Sequence, residues 1–263
     1  MMAITASQVN ELRKKTGAGM MDCKNALVEA DGDVQAAIDL LRKKGQKVAA
    51  KRGDRDATEG LVVAKTTEDG TKGVLICLNC ETDFVAKNEE FGNFVGQIVD
   101  IAISSNSSTV EELLTQSFDG NGLTVSDKIT QQTGVIGEKL DLSACQVIEA
   151  TNVVAYNHPG NQIATLVGFT KEATEAGRQV AMQVAAMAPI SVDESSVPAA
   201  VIEKELEIGK ELAIQEGKPA ELAEKIAQGR LRKFFAESTL LNQPFVRDNK
   251  KSVKQFLQET DSD

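Results

Sequence analysis

The stretch Gly73-Val-Leu-Ile-Cys-Leu-Asn-Cys80-Glu-Thr-Asp-Phe-Val-Ala-Lys87-Asn-Glu-Glu-Phe91 changes its period partway along. Through Cys80 it is a nearly continuous β-prone run and reads as a buried strand. From Asn88 the pattern is helical. Asn88 supplies a cap, Glu89 and Glu90 place acids in the first turn, and Phe91, Phe94, Ile98 and Ile101 form an apolar stripe. Upstream, Gly60–Thr67 is a second β-prone run, joined to the first through Glu68-Asp69-Gly70-Thr71, a hairpin turn signal. Strand, strand, helix in this order predicts an α+β fold with antiparallel sheets. Thr82 to Lys87 is left as a connector, and Phe84 reads two ways. It lies seven residues before Phe91, so a helix running back that far makes it core, where large apolar residues usually lie. If the helix starts at Asn88, Phe84 projects from the connector as a wedge, worth about 1.5–3 kcal/mol in a partner's pocket.

Working outward, residues 1–45 read as a three-helix module. Thr5 with Gln8 makes a capping box, with Ile4 and Val9 as a staple. Leu12 shares the face of Val9, Gly17-Ala-Gly19 breaks the chain, and Met20, Cys23 and Leu27 mark a second helix. Met20 and Met21 stand about 100° apart on it, so both cannot face so small a core. One is a candidate adaptable contact, and a core Met is the other reading. Asp33 caps a third helix that Gly45 is expected to stop. Residues 46–57 are a polar linker, helical in part. Residues 58–138 form a first αβ subdomain, with short helices near 110–117 and 125–137. Residues 139–190 and 239–263 form a second, with strands at Leu140–Ala150, Val153–Asn157 and Ile163–Phe169, a tight turn at His158-Pro-Gly-Asn161, and a helix at Ala173–Ala188. Residues 191–238 are an inserted antiparallel helical hairpin. Pro198 and Pro219 open its helices, and Ile202, Leu206, Ala213, Leu222, Ile226 and Phe234 give its narrow seams. Such a hairpin leaves dimerisation open. A helix near 250–258 precedes a frayed tail, Thr260-Asp-Ser-Asp263.

The 263 residues are 41% hydrophobic and 26% charged, ordinary globular values, with a net charge of -10 that argues against a dedicated nucleic-acid binder. The charge is uneven: residues 1–52 hold ten Lys and Arg against six Asp and Glu. A basic head on an acidic body suits docking to an acidic surface, or is simply solvated. No stretch approaches the 18 or so apolar residues of a membrane span, and Met1-Met-Ala-Ile-Thr5 resembles no signal or transit sequence, so a cytoplasmic protein is expected.

Chemistry of its own is hard to assemble. Cys77 and Cys80 have C-x-x-C spacing, but three residues apart in a strand they point to opposite faces, which favours structural thiols over a metal site. The phosphate loop G-x-x-x-x-G-K-[ST] is absent, and Gly17-Ala-Gly19 reads as a helix breaker. His158 is the only His, too few for a conventional triad. Glu111-Glu112 and Glu203/Glu205 lie on faces expected to be solvated. No metal or cofactor is expected.

Two long motifs change the weighing of Phe84. Leu12-Arg-Lys-Lys-Thr-Gly-Ala-Gly-Met-Met-Asp-Cys-Lys-Asn-Ala-Leu27 and Cys80-Glu-Thr-Asp-Phe-Val-Ala-Lys87 resemble the two signatures of the elongation factor Ts family. His158 before Gly160, Gly217-Lys-Pro with Glu-Lys-Ile-Ala in the hairpin, and Gln243-Pro-Phe-Val246 carry the resemblance along nearly the whole chain. It implies a bacterial guanine-nucleotide exchange factor for the GTPase elongation factor Tu, with a ubiquitin-associated-like N-terminal module that docks on the G domain. It implies that Thr82, Asp83, Phe84 and Val85 push into that domain and dislodge magnesium, Asp83 and Phe84 being the wedge. Leu12, Met20, Met21, His158 and Gly160 are then secondary contacts, and the hairpin is the family's coiled coil. The competing expectation is an adaptor or holding chaperone on the same scaffold, indifferent to nucleotide. Two departures stand out: Pro159 intervenes between His158 and Gly160, and the family usually continues into a further strand-containing module where this chain ends.

Overall fold

A computed structural model describes residues 4–120 and 122–260, so residues 1–3 and the last three residues of the expected frayed tail lie outside the description. The chain divides into two compact units at Leu166/Val167. No helix among the described residues is long and apolar enough to cross a membrane.

The first unit opens with α1 (Ala6–Thr16), α2 (Met20–Glu29) and α3 (Val34–Arg52). The Thr5–Gln8 capping box is formed: the Gln8 N–H donates to Thr5 Oγ1 at 3.3 Å, and the Thr5 N–H to Gln8 Oε1 at 2.9 Å. Gly17 ends α1 with φ +71°, a conformation that costs a side-chain-bearing residue strain. Val9, Leu12, Cys23, Ala26, Leu27 and Ala37 make a small core. There follow β1 (Glu59–Thr66), β2 (Lys72–Cys80), α4 (Asp83–Ala86), α5 (Glu89–Ser105), α6 (Val110–Leu114), α7 (Val125–Ile136) and β3 (Asp141–Glu149). The three strands form one antiparallel sheet, order β1-β2-β3, with Val63 opposite Ile76 and Ile76 opposite Cys145. Val74, Ile76 and Leu78 of the central strand are fully buried. Across them α5 lays Phe91, Phe94, Val95, Ile98, Val99 and Ala102, capped as expected by Asn88.

Two expectations are corrected here. Gly45 does not stop α3, which runs on to Arg52 and absorbs half of the expected linker. It is instead where α7 crosses: a Cβ added to Gly134 would lie 2.3 Å from the Gly45 Cα. The two glycines let the helix backbones touch, and this contact ties the N-terminal module to the αβ subdomain. The segment from 139 also belongs elsewhere. As β3 it pairs with β2 and contributes Leu142 and Cys145 to the core of the first sheet. A strand as buried as β2 needs partners on both edges, and the hairpin supplies only one.

A two-stranded sheet of β4 (Asn152–Asn157) and β5 (Ala164–Phe169) follows, β5 running across the unit border. Within the first unit, Asn157 pairs with the β1 backbone at Ala64, accepting from its N–H at 2.8 Å and donating to its carbonyl at 2.9 Å.

The second unit holds α8 (Thr174–Met187), α9 (Ala199–Gln215), α10 (Ala220–Ser238), the short strands β6 (Pro244–Phe245) and β7 (Asp248–Ser252), and α11 (Val253–Thr260). The helical hairpin is α9–α10. Its buried seam is Gly209, Ala213, Ala223, Ala227 and Leu231, whereas Leu222, assigned to the seam from spacing, is exposed. The packing is closer than an apolar stripe of large residues allows: a Cβ on Gly209 would lie 3.1 Å from the Ala227 Cα. Lys210–Glu224 and Arg230–Glu216 bridge the pair at 2.5 and 2.7 Å. At the hairpin base, the Phe245 and Phe256 rings stack at 4.2 Å, and the fully buried Gln183 and Gln243 hydrogen-bond at 3.2 Å.

Candidate functional site

The residues Thr82–Val85 form neither a helix extension nor a loop. Thr82 is extended (φ -128°, ψ 153°), Asp83–Ala86 make one separate helical turn, and α5 begins afresh after Asn88. One face of this turn is anchored: Ala86 is buried and Val85 packs on the sheet core. Successive helical positions differ by about 100°, so anchoring Val85 and Ala86 turns Phe84 outward, 83% exposed. Among the described residues no large hydrophobic side chain is more exposed. A lone exposed Leu needs no explanation. A Phe held outward on a turn whose next two residues are anchored is a built projection.

The neighbours fix the turn. Thr82 donates its hydroxyl to Glu138 Oε1 at 2.7 Å and its N–H to Oε2 at 3.0 Å. Asp83 pairs with Lys87 at 2.7 Å, one helical turn on, and the Lys87 hydrogen bond and charge hold the Asp83 carboxyl below the usual carboxylate range. A negative charge therefore stands beside the exposed ring. Behind the turn, the Cys80 thiol donates to the Thr82 carbonyl at 3.2 Å. Burial first, then the Glu138 charge, pushes that thiol from 9.0 up to about 11. The consequence has a definite sign. Below pH 9 both folded and unfolded chains keep the proton. Between pH 9 and about 11 only the unfolded chain releases it, so stability falls across this window. Urea midpoints of wild type and Cys80→Ala across pH 8–11 should show an extra decline in the wild type alone.

The other candidates separate into exposed and buried. Met20 and Met21, on the first turn of α2, are 57% and 63% exposed, because Cys23, Ala26 and Leu27 already fill that face of the module. Leu12 is corrected: it is fully buried among those residues, and its side chain has no surface to offer a partner. His158 is exposed, its Nδ1 2.9 Å from the Tyr156 hydroxyl. Its turn is closed by the Asn161 N–H donating to the His158 carbonyl at 2.9 Å, with Gly160 at φ +93°. Proline then glycine at the two central positions suits a type II turn, so Pro159 presets this geometry. The C-x-x-C cysteines fall out as expected from alternation: Cys80 is buried, Cys77 is half-buried, and both are free. No group of three His, Cys, Asp or Glu among the described residues could hold a metal ion.

The residues missed from sequence are Glu138, Glu81 and Arg52. They are lone charges at the ends of elements, with no spacing to distinguish them from solvated surface. A groove of about 380 Å³ also lies beside the turn, lined by Gly17, Val85, Asn88, Phe91, Val135 and Ile136. The arrangement presents an exposed apolar side chain with a carboxylate beside it.

Comparison with known proteins identifies the family. Residues 81–263 match the family described as Elongation factor TS. The chain is 52% identical to the elongation factor Ts of Christiangramia forsetii over 264 residues, covering 99% of this chain and 95% of that protein. It is 51% identical to that of Amoebophilus asiaticus (97% and 93% covered) and 49% identical to that of Flavobacterium psychrophilum (100% and 95%). With the match running through the Thr82–Val85 turn and identity near one half along the full length, the chain belongs to the elongation factor Ts family of translation elongation factors.

Proposed function

We propose that this chain is the guanine-nucleotide exchange factor of elongation factor Tu in a bacterial cytoplasm, and that Phe84 is its working part. The observation that carries this is the 83% exposure of Phe84 on a turn anchored by Val85 and Ala86. Phe84 enters the G domain beside the nucleotide, Asp83 accompanies it, and the disturbed magnesium site loosens GDP. Met20 and Met21 give the N-terminal module an adaptable docking surface, and His158 on its Gly160 turn gives a further contact. The factor does its work as a ligand of the GTPase and makes or breaks no covalent bond.

Linkage imposes a condition. A factor that weakens GDP binding is itself weakened by GDP to the same degree. A thousandfold effect requires about 4 kcal/mol of coupling. Burial of one Phe supplies about 1.5–3 kcal/mol, and loss of the metal's charge opposite the phosphates accounts for the balance. Calorimetric titration of elongation factor Tu, nucleotide-free and GDP-loaded, with this protein tests the condition. The nucleotide-free form is expected to bind more tightly, by the factor by which GDP affinity drops. Equal affinities would favour a nucleotide-indifferent adaptor or holding chaperone.

A further inference from the structure

A four-residue helical turn has no stability of its own, because nucleating one turn fixes several residues for a single hydrogen bond. The direction of Phe84 must therefore be set from outside α4. Val85 and Ala86 anchor one side, and the other side is held by two carboxylates that exchange partners. Glu138 takes the N–H of Glu81 at 3.1 Å, the N–H of Thr82 at 3.0 Å and the Thr82 hydroxyl at 2.7 Å. Glu81 in return takes the N–H of Lys139 at 2.6 Å. The Glu81 carboxylate is closed by Arg52, whose Nη1 lies 2.8 Å from both its oxygens, and Lys139 Nζ donates to the Gly53 and Arg55 carbonyls at 3.0 Å. The clasp joins three places far apart in sequence: the end of α3, the end of β2, and the α7–β3 junction. Its outer end, at Gly53 and Arg55, is exposed, whereas the Glu81 side chain is only 13% exposed and Glu138 is half-buried.

We propose that Glu138 is the positioning residue of the exchange reaction: through its three hydrogen bonds to Glu81 and Thr82 it fixes the direction in which Phe84 is presented, and through Glu81 and Arg52 it locks that direction to the N-terminal module. This rests on the function proposed above. A carboxylate suits the task because it alone offers enough acceptor sites for two N–H groups and a hydroxyl at once. The lock to α3 means that docking of the module and entry of Phe84 occur at one fixed spacing, so no ordering cost falls on the second contact once the first is made.

The test is release of fluorescent GDP from elongation factor Tu at saturating factor, with wild type, Glu138→Ala, Glu138→Gln, Phe84→Ala and the Phe84→Ala/Glu138→Ala pair, melting curves being taken alongside. Glu138→Ala should lower the saturated rate about tenfold. Glu138→Gln, which keeps an acceptor for the N–H groups, should stay within about threefold of wild type. In the Phe84→Ala background, Glu138→Ala should change the rate by less than about twofold, because the two act through one group. Thr82→Val, which removes the hydroxyl bond to Glu138 together with the weaker cap that the same hydroxyl gives the Val85 N–H at 3.5 Å, carries the same test if Glu138→Ala melts early: a rate about threefold down, and no further loss without Phe84. A wild-type rate in Glu138→Ala, or an equal loss with and without Phe84, would overturn the positioning role alone. Absence of acceleration by the wild type would overturn the exchange function and this role together.

Discussion

Phe84→Ala is expected to fold as the wild type does and to lose between roughly tenfold and a hundredfold or more of its acceleration of GDP release. Both halves follow from one number. A side chain left 83% exposed contributes little to the folded chain, so stability should move by no more than about 0.5 kcal/mol, the usual range for surface positions. A Phe in the core would instead cost about 3–5 kcal/mol on truncation. The energy missing from the free factor appears on insertion, where burying the ring yields about 1.5–3 kcal/mol. Urea denaturation and nucleotide-release kinetics on the same preparation separate the two. A large loss of stability would return Phe84 to the core. Unchanged stability with unchanged release would leave the turn without a role.

The second large effect lies away from the turn. Gly134→Val should destabilise the protein by about 2–3 kcal/mol. In a helix interior, replacing Gly with a residue that bears a side chain normally helps, by up to about 1 kcal/mol for Ala. At Gly134 the sign reverses, because even the first added carbon would stand 2.3 Å from the Gly45 Cα, a backbone atom that cannot swing aside. Either α3 and α7 separate or one of them bends. Gly96, inside α5, is the control: a Cβ there meets nothing within 4 Å, so Gly96→Ala should be neutral or stabilising by up to about 1 kcal/mol. The denaturant midpoint of Gly134→Val should fall, while that of Gly96→Ala should hold or rise. A stable Gly134→Val would mean that the helix crossing does not fix the module. Since α3 also ends in Arg52 of the Glu81 clasp, Gly134→Val should slow GDP release as well, whereas Gly96→Ala should not.

Much of the architecture was legible because local signals and long-range packing agree. The Thr5 box, the Asp33 and Asn88 caps and the Phe91–Ile98 stripe all lie where spacing places them. Two of the failures share a cause, which is contact between segments distant in sequence. Gly45 looks like a terminator because a glycine near the end of an apolar pattern usually is one, and only the presence of Gly134 explains why the helix passes through it. β3 looks like the start of a second subdomain because it follows a helix, yet it completes the first sheet. β7, Asp248-Asn-Lys-Lys-Ser252, has no apolar alternation to announce it and pairs only with β6. In the hairpin, spacing picked out Ala213 correctly but otherwise chose large residues, while the buried seam is built mostly from small ones with Leu231.

The candidate site divides in the same way. Phe84 was ambiguous in periodicity alone, and the helix start at Asn88 was the local clue that it stands outside α5. Met20 and Met21 were under suspicion because two adjacent residues cannot share one small core, and both in fact lie at the surface. Leu12 entered through a motif that mixes core with surface, and its burial removes it. Glu138 had no signal, since a carboxylate earns its place there only through N–H groups more than fifty residues away.

The central claim is that this protein opens another protein's nucleotide site. Release of fluorescent GDP from elongation factor Tu, followed by stopped flow over a range of concentrations of this protein, tests it most directly. The expected result is a release rate that rises steeply with the factor and saturates. A rate that stays at its intrinsic value at every concentration would contradict the claim.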